Sequence, residues 1–123
     1  MEEKTILTIP LKTVSPNTMN TKHWAVRRKL SENQKASVYY ALLAAYPKPT
    51  IPCQVTITRI ASRVMDQDNL GAALKTIIDT IADFLIPNLP PGQADGDPRI
   101  SWVYNQEKGS REQKIRIEIE STI

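Results

Sequence analysis

The sequence predicts a single α+β domain over residues 1–123: a small mixed sheet with two helices packed on it, in the order β-α-β-α-β-β. Three observations predict it. Val55–Ile60 and Ile115–Glu120 alternate apolar and polar residues, the two-residue period of half-buried strands. Leu70, Leu74, Ile77, Ile81 and Leu85 recur at helical spacing and define one buried stripe. Prolines at 47, 49 and 52, and again at 87, 90 and 91, separate these segments where a helix must stop.

The first strand is expected over Thr5–Leu11, with Pro10 marking an edge strand or a strand end. Ser15-Pro16-Asn17 reads as a turn in the polar stretch 12–22. Ser31 followed by Gln34 forms a capping-box pattern, predicting a helix from there to about Ala45. A second helix is expected from about Asp68 to Leu85. Ile100–Tyr104 gives a third strand, and Ile115, Ile117 and Ile119 give a fourth with one wet face. Lys108-Gly109-Ser110 suits a hairpin turn between those two.

Composition narrows the function classes. The chain is 41% hydrophobic and 24% charged, which excludes collagen-like, coiled-coil and wholly disordered chains. No apolar run reaches membrane-spanning length. The polar N-terminus predicts no secretory leader, and the single cysteine, Cys53, forbids an internal disulfide, so a cytoplasmic location is expected. With one Cys and one His, a Cys/His zinc site would need carboxylate help. Four well-separated glycines make no phosphate-cradling loop, and no nucleophile-elbow serine is present.

The net charge of +3 hides a partition. Residues 1–63 carry ten Lys/Arg against three Glu, whereas residues 64–101 carry two Lys/Arg against all six aspartates. A basic body around a concentrated acidic patch suits a nucleic-acid partner and a divalent cation; a solvated acidic helix face is the plainer alternative. The sharpest local feature is Asp66-Gln67-Asp68-Asn69, just ahead of the second helix. In an extended segment residues i and i+2 share a side, so two carboxylates there can share one hard cation, Mg²⁺ or Mn²⁺. The competing reading is that these residues only cap the helix start. Asp95-Gly96-Asp97 offers a third carboxylate if it folds back beside Asp66 and Asp68; otherwise it is an Asp-Gly turn. Lys75, opposite the apolar stripe, would either reach a scissile phosphate, oriented by Asp79, or form an ordinary i,i+4 surface pair with it. His23 and the run Arg27-Arg28-Lys29 suit phosphate contact. Trp24 is expected to anchor in the core rather than stack on a base, and Trp102 and Cys53 to be ordinary strand residues.

Taken together, Ser15-Pro16-Asn17, His23-Trp24 with its basic run, Asp66-Gln67-Asp68-Asn69-Leu70, Lys75 with Asp79, and Asp97-Pro98-Arg99-Ile100 resemble the RusA family of Holliday-junction resolvases, above all its phage-borne members. The resemblance covers nearly the whole chain. It implies a homodimeric, Mg²⁺-dependent endonuclease, bacterial or phage-encoded and without an organic cofactor, that cuts four-way DNA junctions by paired nicks. By position, Asp66, Asp68 and Asp97 would be metal ligands, Asn69 would lie near DNA, and Lys75 would serve catalysis. Some members carry the lysine six residues after the first aspartate, where this chain has Ala72; Lys75 lies nine residues after. Asp95 competes with Asp97 for the third ligand position. A non-catalytic branched-DNA-binding module of the same fold is the alternative.

Overall fold

A four-stranded mixed sheet carries the helices on one face. In the computed structural model, which describes residues 4–21, 23–90, 92–109 and 111–122, the elements are β1 (Lys4–Pro10), α1 (Pro16–Asn20), α2 (Trp24–Ala44), β2 (Cys53–Ala61), α3 (Gln67–Ala73), α4 (Lys75–Leu85), a 3₁₀ turn (Ala94–Gly96), β3 (Ile100–Lys108) and β4 (Lys114–Ser121). β4 runs antiparallel to both β1 and β2, and β2 runs parallel to β3. The predicted α+β class, mixed sheet and strand order along the chain are observed.

The alternation read from the sequence sets the two faces. Val55 and Ile57 of β2 and Ile115, Ile117 and Ile119 of β4 are buried beneath the helices, where they meet Leu70, Leu74, Ile77 and Ile81. Val38 and Leu42 of α2 complete this core. The opposite face is wet, as expected. An ion-pair ladder crosses it: Lys4 to Glu118 at 2.9 Å, Arg116 to Glu118 at 3.1 Å, and Arg116 to Glu107 at 2.8 Å. β1 is an edge strand, which is where its terminal Pro10 is tolerated.

Several boundaries differ from expectation for identifiable reasons. Ser15-Pro16-Asn17 begins the short helix α1 rather than making a turn: the Ser15 hydroxyl accepts the Thr18 N–H and Pro16 takes the first helical position. The long helix starts at Trp24, seven residues before Ser31, because the His23 imidazole serves as its cap, with Nδ1 accepting the Ala25 N–H at 3.2 Å. Gln34 does not close a capping box. It is buried and donates to the Lys12 carbonyl at 2.8 Å, fastening the chain after β1. The helix expected over 68–85 is interrupted at Leu74 (φ −95°, ψ 2°), although Leu74 and Ile78 keep hydrogen bonds to residues four earlier.

The expected hairpin between the last two strands is wrong. β3 and β4 are not neighbours; β2 lies between them. Ser110, in the expected turn, lies outside the described residues, as does Lys22 at the head of the basic run. The chain passes over the end of β2, where the Gly109 N–H donates to the Ala61 carbonyl at 2.9 Å. A Cβ on Gly109 would stand 3.0 Å from the Ile60 side chain, so any larger residue at this crossing requires Ile60 to shift. A connection of five residues, 109–113, can skip one strand because the two strands it joins are only about 10 Å apart. The parallel β2–β3 pair needs a crossover, which α3 and α4 supply.

Candidate functional site

The acidic segment lies at the end of β2, and the neighbouring strand holds it in place. Arg59 of β2 and Gln106 of β3 are register partners on the helix-facing side. The Gln106 side chain clamps Met65 twice: its Oε1 accepts the Met65 N–H at 2.8 Å and its Nε2 donates to the Met65 carbonyl at 2.9 Å. Arg59 donates to the Arg63 carbonyl at 2.8 Å. The loop that delivers Asp66 is therefore tied to the sheet at two places. Nothing in the strand patterning singles out Gln106. Arg59 did carry a signal: a charged residue stands in the apolar phase of Val55, Ile57 and Ala61.

Asp66 occupies the cap position of α3, yet its side chain makes no capping hydrogen bond; only its carbonyl accepts, from the Asn69 N–H at 2.9 Å. Asp68 lies in the first turn of the helix and is exposed. The two carboxylates therefore do not share one extended segment, as the sequence suggested, but the cap and first turn of a helix. Among the described residues neither carboxylate has a hydrogen-bond or ion-pair partner. The capping explanation for Asp66 therefore fails. Both oxygen pairs remain available to a cation.

The third carboxylate does not join them. Among the described residues no group of three or more His, Cys, Asp or Glu side chains is placed to hold a metal ion. Asp97 is closed on Arg99, whose Nε and Nη2 reach the two carboxylate oxygens at 2.9 Å while its backbone N–H adds a further bond at 2.9 Å. These hydrogen bonds hold the Asp97 carboxyl down at about 2. Asp95 is turned the other way: its carboxylate lies 3.4 Å from the Lys75 ammonium and its carbonyl accepts the Trp102 indole N–H at 3.0 Å. Strand β3 explains the separation. Trp102 holds the Asp95 turn and Gln106 holds Met65, and these two anchors stand four residues, about 13 Å, apart along the strand.

Lys75 opens α4 and bridges Asp79 at 3.0 Å and Asp95. Its hydrogen bond to Asp79 raises its pKa; burial opposes this, the charges of Asp79 and Asp95 add to it, and the net shift is upward, so it is a fixed cation at any physiological pH. Asp79 orients it, and Asp95 is a second partner that helical spacing alone did not show. Tyr104, between Trp102 and Gln106 on the same face of β3, has its phenol pKa pushed up by burial first and by the Asp95 charge second. Trp102 is half-buried on this strand as expected, and Cys53 is a buried β2 residue whose thiol pKa burial pushes up.

The basic run lies inside α2 rather than ahead of the helix expected from Ser31. Arg27, Arg28 and Lys29 lie in the first turns of α2, where consecutive side chains fan over roughly 200° and cannot all face one backbone. Arg28 is paired with Glu32 at 3.0 Å. Trp24 is not a core anchor: it is 60% exposed, with its ring beside His23 at a centroid distance of 5.6 Å. Asn69 is half-buried in the first turn of α3, two residues before Gly71. Pro16, Met19, Leu30, Gln34, Ala72 and Thr76 line a groove between α1, α2 and the α3–α4 pair. Ala72 thus sits on a groove wall. Among the described residues no helix is long and apolar enough to cross a membrane.

Comparison with known proteins adds no neighbour: no family model matches the chain, and no significant match is found among the curated proteins or the solved structures.

Proposed function

We propose that this chain is a metal-dependent, structure-specific DNA endonuclease of the RusA type, acting as a homodimer on four-way junctions in the cytoplasm of a bacterium or phage host. The observation that carries the reading is the state of Asp66 and Asp68: two exposed carboxylates without a partner among the described residues, at the cap and first turn of α3, directly after a loop that Gln106 and Arg59 fasten to the sheet.

The donor set fits Mg²⁺ or Mn²⁺. Mg²⁺ binds through one or two carboxylates, keeps several waters and accepts phosphate oxygens, so it does not require three protein ligands in advance. Asp66 and Asp68 would hold it, and Asp97 would join only after parting from Arg99. When bound, the ion supplies Lewis-acid stabilisation and a more acidic water for phosphodiester hydrolysis. Lys75, kept charged and oriented by Asp79, offers a positive charge to an oxyanion developing near α4. His23 and Asn69 would meet the DNA backbone together with Arg27 or Lys29, which lie on opposite sides of α2 and so serve different strands, and the exposed Trp24 is available to stack on an unpaired base. A two-fold dimer would bring two such sites to a two-fold substrate.

The non-catalytic binding module has one observation in its favour, the closure of Asp97 on Arg99. Strand cleavage separates the two readings. A synthetic four-way junction should be nicked in pairs in Mg²⁺, not in chelator, and not by Asp68→Asn, which should still fold and bind. Junction binding without Mg²⁺-dependent nicks would establish the binding module instead.

A further inference from the structure

The least expected charge in the molecule is Arg59. It sits on the helix-facing side of β2, in line with Val55 and Ile57, and is only 7% exposed. Buried arginines normally meet a carboxylate, because an uncompensated charge is costly to remove from water. Arg59 has none among the described residues. Its Nε donates to the Thr13 hydroxyl at 2.9 Å and one Nη donates to the Arg63 carbonyl at 2.8 Å, both neutral acceptors. Thr13 is itself held by Gln113, whose Oε1 accepts the Thr13 N–H at 2.9 Å and its hydroxyl at 3.1 Å. Burial alone acts on the guanidinium, lowering its pKa with no acid to oppose it.

A guanidinium has five N–H donors, and those two bonds leave three unused, including both on the second Nη. Yet among the described residues no fully buried side-chain nitrogen or oxygen lacks a hydrogen-bond partner. The unused Nη therefore lies at the residue's small exposed edge. The sheet, the Thr13–Gln113 pair and the Arg63 carbonyl, three residues before Asp66, fix the stem and one side of the fork, and the second Nη keeps a small solvent-exposed area.

We infer that Arg59 is a preorganised phosphate-binding residue, whose open guanidinium edge takes the oxygens of a phosphoryl group arriving next to Asp66. The planar fork matches two such oxygens, and the ligand supplies the missing negative charge. Fixing the fork in advance removes most of the ordering cost that an exposed lysine or arginine carries on binding. The phosphate could belong to a nucleic-acid backbone or to a free small anion. The first source rests on the nuclease reading, under which Arg59 holds the strand near the acidic loop; the second does not.

Melting temperature is measured without Mg²⁺ or DNA, in inorganic phosphate, acetate or chloride at matched ionic strength. At phosphate about ten times its Kd, the wild-type Tm should rise by roughly 3–6 °C above the chloride value. Arg59→Met, which keeps the stem, should lose that increment. Should the variant fail to fold, the wild-type Arg59 Nε–H resonance still reports: phosphate must move it at concentrations where acetate does not. No phosphate-specific Tm rise and a stationary Arg59 signal would overturn the site. In a separate arm, Arg59→Met should lower duplex affinity and reduce the salt slope of the binding constant by about one ion. Phosphate binding with an unchanged slope would assign the site to a small phosphate and would count against a DNA path over Arg59, whatever the cleavage assay shows.

Discussion

Replacing Gln106 with leucine should loosen the acidic loop while leaving the core in place. The side chain is half-buried, and its amide satisfies both the N–H and the carbonyl of Met65, one residue before Asp66. Leucine fills a similar volume but offers neither a donor nor an acceptor. Each hydrogen bond contributes about 0.5–1.5 kcal/mol net. Met65 lies close enough to the surface for water to reach part of what is lost, so we expect Gln106→Leu to cost about 1–2 kcal/mol in urea unfolding. The companion Gln106→Glu isolates geometry from volume. Its carboxylate can accept the Met65 N–H but sets an oxygen against the Met65 carbonyl, and protonation at low pH should restore the donor and part of the stability. Amide exchange at Met65 should accelerate in both variants, while exchange at Ile57 and Ile117 follows only the global change. A Gln106→Leu protein within about 0.3 kcal/mol of wild type, with unaltered Met65 exchange, would refute the clamp.

The other predictions concern the core, the crossing and the open sheet face. Ile77→Ala removes a fully buried side chain between α4 and the sheet and should cost about 2–5 kcal/mol, read from the urea midpoint at unchanged slope. Gly109→Val should destabilise through contact with Ile60 and slow formation of the β2–β4 pairing, measured by unfolding and refolding rates. The ladder predicts a pH dependence. Arg116 holds Glu107, and Lys4 with Arg116 holds Glu118, so both carboxyl pKa values lie below the ordinary 4.5. Groups depressed in the folded state stabilise it above the unfolded value and lose that contribution as pH falls through the folded one. Wild type should therefore lose stability below about pH 4.5, and Arg116→Met should flatten that loss; parallel curves for the two proteins would contradict it.

Much of the architecture was legible because its signals are local. Ile115, Ile117 and Ile119 could bury together only as a strand, and Leu70, Leu74, Ile77 and Ile81 only on a helix. What escaped reading was tertiary. Ser31 and Gln34 have the right spacing for a capping box, but Gln34 is drawn to the Lys12 carbonyl, far away in sequence, and His23 caps the helix instead. A short Gly-containing connection looks the same whether it turns a hairpin or skips a strand; the difference lies in what fills the space between, here β2. Trp24 was expected inside because tryptophan is apolar, but its place in the first turn of α2 leaves it facing water. Spacing alone singles out the aspartates at 66 and 68 as candidates. Their freedom from capping, and the commitment of Asp97 to Arg99, depend on side-chain partners that no spacing encodes.

That Asp66 and Asp68 hold a divalent cation is tested most directly by titrating the protein with trace Mn²⁺ and following paramagnetic broadening of its amide signals, with Mg²⁺ as competitor. Broadening should begin at residues 66–69, reverse on adding Mg²⁺ and vanish in Asp68→Asn, with Asp97 and Arg99 affected only once they part. Broadening absent from residues 66–69, or centred first on Asp79 and Asp95, would contradict the assignment.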